Sequence, residues 1–423
     1  MPSDHLFSRR SFLKNTGKAV AAFTIVPRHV LGGAQFTAPS EEITRAIIGV
    51  GGMGSSHLGY AGARTVALCD VDRKHPEGAL AKCEAGVDGY RHFREVLARP
   101  DIDVVHIATP PHWHGIISAE AARAGKDIWC EKPMTRTIGE GRKVLEAVQR
   151  HGVLFRLNTW FRFKDKFYDF DTPVQPIKKA VENRLFGWPL TVTVGPDTGF
   201  DFKFQWSGKT DLQPEPIPEE LDYDLWLGPA PWKPYNSHRV HSTFRGYWDY
   251  DGGGLGDMGQ HYLDPVQYFL EKDNTSPVAI TVDAPLQHPE AASSWRRIEM
   301  TYADGCKIIC TSEETGKDVP YISGPEGNLY KGMRSDINGF AEKLASLPEP
   351  VWQESDFYRA VKNRRKFALN EENGHRSCTL VNLGVIAVRL GRELQYDPEK
   401  ELFVNDDAAN RLIHQPMRSP WTI

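Results

Sequence analysis

A chain of 423 residues that is 40% hydrophobic and 25% charged has the make-up of a globular protein in water, which excludes a disordered or fibrous chain. That length exceeds what one ordinary core serves, so two domains are expected. Lys and Arg total 51 against 55 Asp and Glu, with no basic arm or stripe, which argues against nucleic acid as a partner.

The N-terminus carries Ser8-Arg9-Arg10-Ser11-Phe12-Leu13-Lys14, followed by a short apolar run from Ala19 to Val26. The run is too short to span a bilayer as a mature helix. The segment resembles a twin-arginine export signal. Residues 1–38 are therefore assigned to signal and linker, with cleavage expected between Leu31 and Pro39. The resemblance implies handling by the twin-arginine (Tat) export machinery and a periplasmic or other extracytoplasmic location. That route carries folded proteins, often with cofactor inside.

Residues 39–158 read as a doubly wound α/β domain. Arg45 to Gly49 is an apolar strand, Gly49-Val-Gly51-Gly52-Met53-Gly54 follows, and a helix is predicted from about Ser55. The glycines serve a tight turn, a close approach to a pyrophosphate, and helix–strand contact. Thr65 to Asp70 is a second strand ending in an acid. Asp70 lies where a carboxylate accepts both hydroxyls of an adenosine ribose and repels a 2′-phosphate, so NAD is favoured over NADP. Arg73 is a candidate for adenine or phosphate. The alternation continues with a strand at Tyr90–Phe93, a helix from Arg94, a strand at Asp103–Ala108, a helix at Ile116–Ala124, a strand at Asp127–Cys130, a helix at Gly139–Arg150 and a strand at Val153–Leu157. Such alternation means a parallel sheet with ligands at the carboxyl ends of its strands.

Two segments fall at those ends. Thr109-Pro110-Pro111-His112-Trp113-His114 offers two histidines and an indole, with Thr109, Pro110 and His114 as candidate cofactor contacts. Loop histidines are more often structural than catalytic. Glu131-Lys132-Pro133 closes the fifth strand. Proline fixes its own φ and permits a cis peptide, so Lys132 is a held cation and the leading catalytic candidate, with Glu131 beside the cofactor.

Residues 159–423 read as an α+β domain with an open, mostly antiparallel sheet, a C-terminal helix and a tail. Strands are predicted at Gly187–Val194, Ala279–Val282, Arg296–Tyr302 and Cys306–Thr311, while residues 196–240 read as long ordered loops. Cys306 and Cys310 share one face of one strand, a poor geometry for a disulfide, and the six cysteines lack zinc-type spacing. A glycine-rich loop leads from Tyr247 into a helix carrying Asp257, His261 and Asp264. A spacing of four places Asp257 and His261 on one face. A carboxylate beside an imidazole orients it for base work, and an N-terminal cap with an ion pair is the structural alternative. A metal site lacks an evident third ligand.

Gly49 to Gly54, Asp70, Glu131-Lys132-Pro133 and the Asp257…His261 pair together resemble the glucose-fructose oxidoreductase and inositol dehydrogenase family (Gfo/Idh/MocA). Leu221 to Pro231, His375-Arg-Ser and Asn405 to Trp421 resemble an exported branch. The resemblance implies hydride transfer between a sugar or cyclitol carbon and a nicotinamide, and the export signal implies that this cofactor is tightly bound, since no free nicotinamide pool is expected outside the cytoplasm. It places Lys132 on the reacting hydroxyl, His261 as general base and Asp257 as orienting group. Trp160, Arg162, Trp248 and Asp264 are the expected substrate contacts. Here Asn158-Thr-Trp-Phe-Arg162 departs from the family's Gln/Gly-rich arginine loop. The family analogy also implies a homo-oligomer. Two other outcomes stand beside an oxidoreductase: a glycosidase or lyase with transient oxidation, and a non-catalytic sugar-binding protein on the same fold.

Overall fold

The computed structural model describes residues 42–164 and 166–423. The twin-arginine segment lies outside the described residues, as does the side chain of Trp160.

Six parallel strands form the first sheet: β1 (Thr44–Ile48), β2 (Arg64–Cys69), β3 (Asp88–Tyr90), β4 (Val104–Ile107), β5 (Asp127–Glu131) and β6 (Phe155–Asn158), in the order β3-β2-β1-β4-β5-β6. β4 and β5 are buried at every position, as parallel strands with helices on both faces must be. Strand order reverses between β1 and β4, which opens a crevice at their carboxyl ends. The helix after β1 begins at Gly52, not near Ser55. The third strand is Asp88–Tyr90 and Phe93 already opens the next helix, with the His92 ring capping Arg94 N.

The second sheet has nine strands: β7 (Thr191–Val194), β8 (Ala279–Asp283), β9 (Arg297–Thr301), β10 (Lys307–Thr311), β11 (Ile322–Gly324), β12 (Gly327–Tyr330), β13 (Arg334–Ser335), β14 (Leu394–Asp397) and β15 (Leu402–Phe403). Their order is β13-β12-β11-β7-β10-β9-β8-β14-β15, and β7 with β10 is its parallel pair. β9 and β10 alternate: Ile298, Met300, Ile308 and Cys310 face the core, while Glu299 pairs with Lys307 at 2.7 Å on the other face. The core face is covered by the fully buried helix Gly253–Phe269, which packs on the helix Glu371–Leu390. Glycine permits that approach, since a Cβ at Gly384 would sit 3.0 Å from Leu255. All six cysteines are free thiols.

The loops predicted at 196–240 contain the short helix Tyr223–Leu227 and form a strap onto the first domain. Arg73 N donates to Glu220 O at 3.0 Å, Asp222 N donates to Val71 O at 2.9 Å, and Lys74 pairs with Glu220. Sequence patterning gives no hint of this docking, because its partners are about 150 positions apart.

Candidate active site

The strap and the crevice of the first sheet enclose a cleft of about 520 Å³. Its floor is the glycine turn. The four glycines do different work. Gly49 has φ +83, and a Cβ there would meet the Ala108–Thr109 backbone at 2.7 Å; a Cβ on Gly54 would lie 1.7 Å from Gly49 O. Those two serve internal packing. At Gly52 nothing lies within 4 Å, and at Gly51 the nearest atom is on His75 at 3.6 Å. These two leave room above the backbone, a cradle suited to the phosphates of a dinucleotide. Met53 lines the same wall.

Asp70 stands at the end of β2. Its Oδ2 accepts from Val50 N at 2.8 Å and its Oδ1 from Asp72 N at 3.0 Å, and the His75 ring approaches Oδ2 at 3.2 Å. The carboxylate is thus fixed at the rim, fitting a ribose diol. Arg73 does not line the cleft; it is exposed and pairs loosely with Glu77 at 3.7 Å.

Thr109, Pro110, Trp113, Glu131 and Lys132 form the next wall. The Lys132–Pro133 peptide is cis. Lys132 Nζ donates to Asp257 O at 2.8 Å and lies 3.0 Å from Asp257 Oδ2, while Arg245 Nε donates to Asp257 Oδ1 at 2.7 Å. Burial alone raises the Asp257 carboxyl, but Lys132 and then Arg245 outweigh it and hold the group below its usual range. His261 follows one turn along the same helix and packs edge-on against Phe161; it is buried and, like His114, is not among the residues lining the cleft. Burial, and then Lys132, hold its imidazole well below the ordinary value, so it is neutral near pH 7. Behind Asp257, Asp251 is buried; burial and then Asp257 push it up to about 7. Gly256 makes room for it, since a Cβ there would sit 2.2 Å from Asp251 Oδ1.

Several expected contacts are placed elsewhere. His114 is buried off the cleft, with Nδ1 2.7 Å from Pro133 O and Nε2 2.7 Å from Thr109 O; it braces the end of β4 against the Lys132 turn and touches no cofactor space. His112 meets Trp226 O at 3.0 Å, and burial pushes it down to about 3. Arg162 and Asp264 pair bidentately at 2.7 and 2.8 Å, both wholly buried, with Asp273 on the other side of the guanidinium. Trp248 is core, its Nε1 donating to His288 O at 2.9 Å. In each case a charged or aromatic side chain is used up on partners in the interior. Conversely, Arg245, His241, Phe244 and Trp226 line the cleft from the strap side. The sequence signal was present in His241-Ser-Thr-Phe-Arg245, just before the glycine loop.

Residues 43–159 match the family described as "Oxidoreductase family, NAD-binding Rossmann fold", and residues 170–423 match "Oxidoreductase family, C-terminal alpha/beta domain". The chain belongs to the Gfo/Idh/MocA oxidoreductase family. As a family member it is 30% identical over 151 residues to the inositol 2-dehydrogenase of Salmonella typhimurium (strain LT2), covering 34% of this chain and 43% of that protein. It is 32% identical over 164 residues to glycosyl hydrolase family 109 protein 2 of Shewanella sp. (strain ANA-3), covering 32% and 35%. The chain thus spans less than half the length of these curated relatives. The WlbA dehydrogenase of Bordetella pertussis, solved with NADH and UDP-GlcNAcA, shares the fold at TM-score 0.58 and 19% identity over 84% of this chain and 99% of that one. Levoglucosan dehydrogenase, solved with NADH and levoglucosan, does so at 0.52 and 18% over 84% and 99%.

Proposed function

We propose that this Gfo/Idh/MocA chain is an exported oxidoreductase that moves hydride between a secondary hydroxyl of a sugar or glycoside and a captive NAD. The observation that carries the reading is the Lys132–Asp257 contact at 3.0 Å, set in a cleft floored by Gly51 and Gly52 and walled by the strap. Bound there, a nicotinamide supplies the hydride acceptor and donor. Lys132 holds the substrate oxygen as charge develops on it, with Asp257, itself held by Arg245, fixing the ammonium. Neutral His261 takes the hydroxyl proton on oxidation and returns it on reduction. Asp70 favours NAD, because a rim carboxylate repels a 2′-phosphate. Twin-arginine export, read from Arg9 and Arg10, removes the protein from a free nicotinamide pool, and the strap suits a cofactor that is regenerated in place. Dialysed, cofactor-loaded protein tests this: a change in nicotinamide absorbance with a sugar supports it, and none across a broad panel refutes it.

The stretch similar to a glycosyl hydrolase family 109 protein favours one further reading. The hydride taken from a glycoside would be returned after the glycosidic bond breaks, with no net redox change. Aglycone release from a chromogenic glycoside, with NAD retained and unconsumed, selects that outcome.

A further inference from the structure

Behind Glu131 runs a line of buried polar groups that the proposed reaction does not use. Glu131 Oε1 lies 2.8 Å from His57 Nε2; His57 Nδ1 lies 3.0 Å from His106 Nδ1; His106 Nε2 lies 2.8 Å from the Tyr358 hydroxyl; and Arg45 Nη1 donates to that hydroxyl at 3.1 Å. His57 and His106 are wholly buried, and Arg45, Glu131 and Tyr358 nearly so. Asn158 Nδ2 donates to the same Oε1.

With both rings neutral, the chemistry of the two ends sets the order of the protons between them. A guanidinium only donates, so the Tyr358 oxygen accepts from Arg45 and its O–H points to His106 Nε2. His106 then carries its proton on Nδ1, facing His57 Nδ1, which must accept. His57 carries its proton on Nε2 and gives it to Glu131. From the other end, a Glu131 carboxylate accepts from His57 Nε2–H, and a neutral His57 ring then accepts at Nδ1 from His106, which is the same order. Two nitrogens of like name at 3.0 Å share one proton, so the rings must be opposite tautomers. Burial, and then His57, Arg45 and Arg156, hold His106 well below its ordinary range, in keeping with a neutral ring.

We propose that Arg45, Tyr358, His106 and His57 are positioning residues: a polarised hydrogen-bond line that pins one carboxylate oxygen of Glu131 from behind and presents the other to the cleft as an acceptor for donor groups of the bound nicotinamide riboside. Glu131 lines the cleft, and among the described residues its Oε2 has no hydrogen-bond partner. Tyr358 does not line the cleft and stands three hydrogen bonds from the pinned oxygen, Oε1. The proposal rests on the nicotinamide reading of the cleft.

Long-range proton–nitrogen NMR on the full chain labelled with ¹⁵N-histidine tests the line without cofactor. The expected result is neutral rings, Nε2–H on His57 and Nδ1–H on His106. A doubly protonated His57, or the reversed pair, overturns the proposal. Tyr358→Phe keeps the ring and removes the hydroxyl. It is expected to turn both histidines into tautomer mixtures together and to weaken NADH binding about three- to tenfold, the worth of one hydrogen bond. Tyr358→Phe with both tautomers and the NADH affinity unchanged overturns the positioning role. Glu131→Gln, whose amide oxygen still accepts from His57 and Asn158, is expected to leave the tautomers in place; their reversal there also counts against the line. Wild-type protein that shows the expected tautomers but takes up no nicotinamide would refute the proposed function and the role toward the cofactor, leaving the proton order as the surviving result.

Discussion

Lys132 meets Asp257 twice, at 3.0 Å to the carboxylate and 2.8 Å to the backbone carbonyl. The contact joins the end of the last strand but one of the first sheet to the helix that carries His261 in the second domain. One ammonium proton is given to the Asp257 carbonyl and the charge faces its carboxylate, so a donor remains for an oxygen in the cleft. Arg245 holds the other carboxylate oxygen, which keeps Asp257 from swinging toward a ligand.

Lys132→Ala is expected to lower kcat/KM by about 10² to 10⁴, the usual range for a positioned proton-handling group. Its melting temperature should shift little, since Arg245 still neutralises Asp257. Asp257→Asn is expected to lower both activity and stability, by about 3 kcal/mol, because it leaves two partly buried cations without a counter-charge. Steady-state kinetics with paired thermal melts check the difference. Equal stability loss in the two variants contradicts the geometry.

Asp251 gives a pH signature. Burial and the neighbouring Asp257 raise its carboxyl to about 7 from an ordinary 3.8. Between those values the folded protein holds a proton that the unfolded chain has lost. This group's contribution to stability is therefore full below about pH 4, falls as pH rises through about 7, and is constant above. Asp251→Asn is expected to melt above the wild type at pH 8 and to lose that advantage by pH 5. Parallel melts across pH check it; a constant difference speaks against a protonated Asp251.

The glycine turn separates folding from binding. Gly54→Ala places a Cβ 1.7 Å from Gly49 O and is expected to impair folding. Gly52→Ala meets nothing within 4 Å and is expected to fold normally while binding NADH more weakly, as its methyl enters the cradle. Fluorescence titration beside circular dichroism distinguishes the two. Unaltered NADH affinity in Gly52→Ala contradicts the assignment of the cradle.

Asp70→Ser is expected to shift preference from NAD toward NADP by about tenfold or more, since it removes a like charge from the rim. Ser keeps an oxygen near Val50 N, which the native carboxylate engages at 2.8 Å. Comparative binding of the two cofactors checks this.

What was legible in the sequence is what is local. The strand–glycine–helix unit, Asp70 after its strand, Lys132 held by Pro133, and Asp257 with His261 one turn apart are all fixed by neighbours within a few residues. What was not legible depends on distant pairing. Arg162 looked like a sugar contact until Asp264 and Asp273 met it in the interior. His114 looked like a cofactor ligand, yet both its nitrogens face carbonyl oxygens. Arg245 and His241 reach the cleft only through the strap's docking on Val71 and Glu220's on Arg73, which no local pattern encodes. The His57–His106 pair arises from a helix end and a strand 49 positions apart, where no periodicity relates them.

The most direct test of the central claim is the nicotinamide absorbance of dialysed, cofactor-loaded protein as sugars and glycosides are added. The expected result is reduced nicotinamide appearing with at least one of them, staying with the protein on gel filtration, and absent in Lys132→Ala. Cofactor-loaded wild-type protein that shows no change with any member of a broad panel, or a Lys132→Ala variant that responds like wild type, would contradict it.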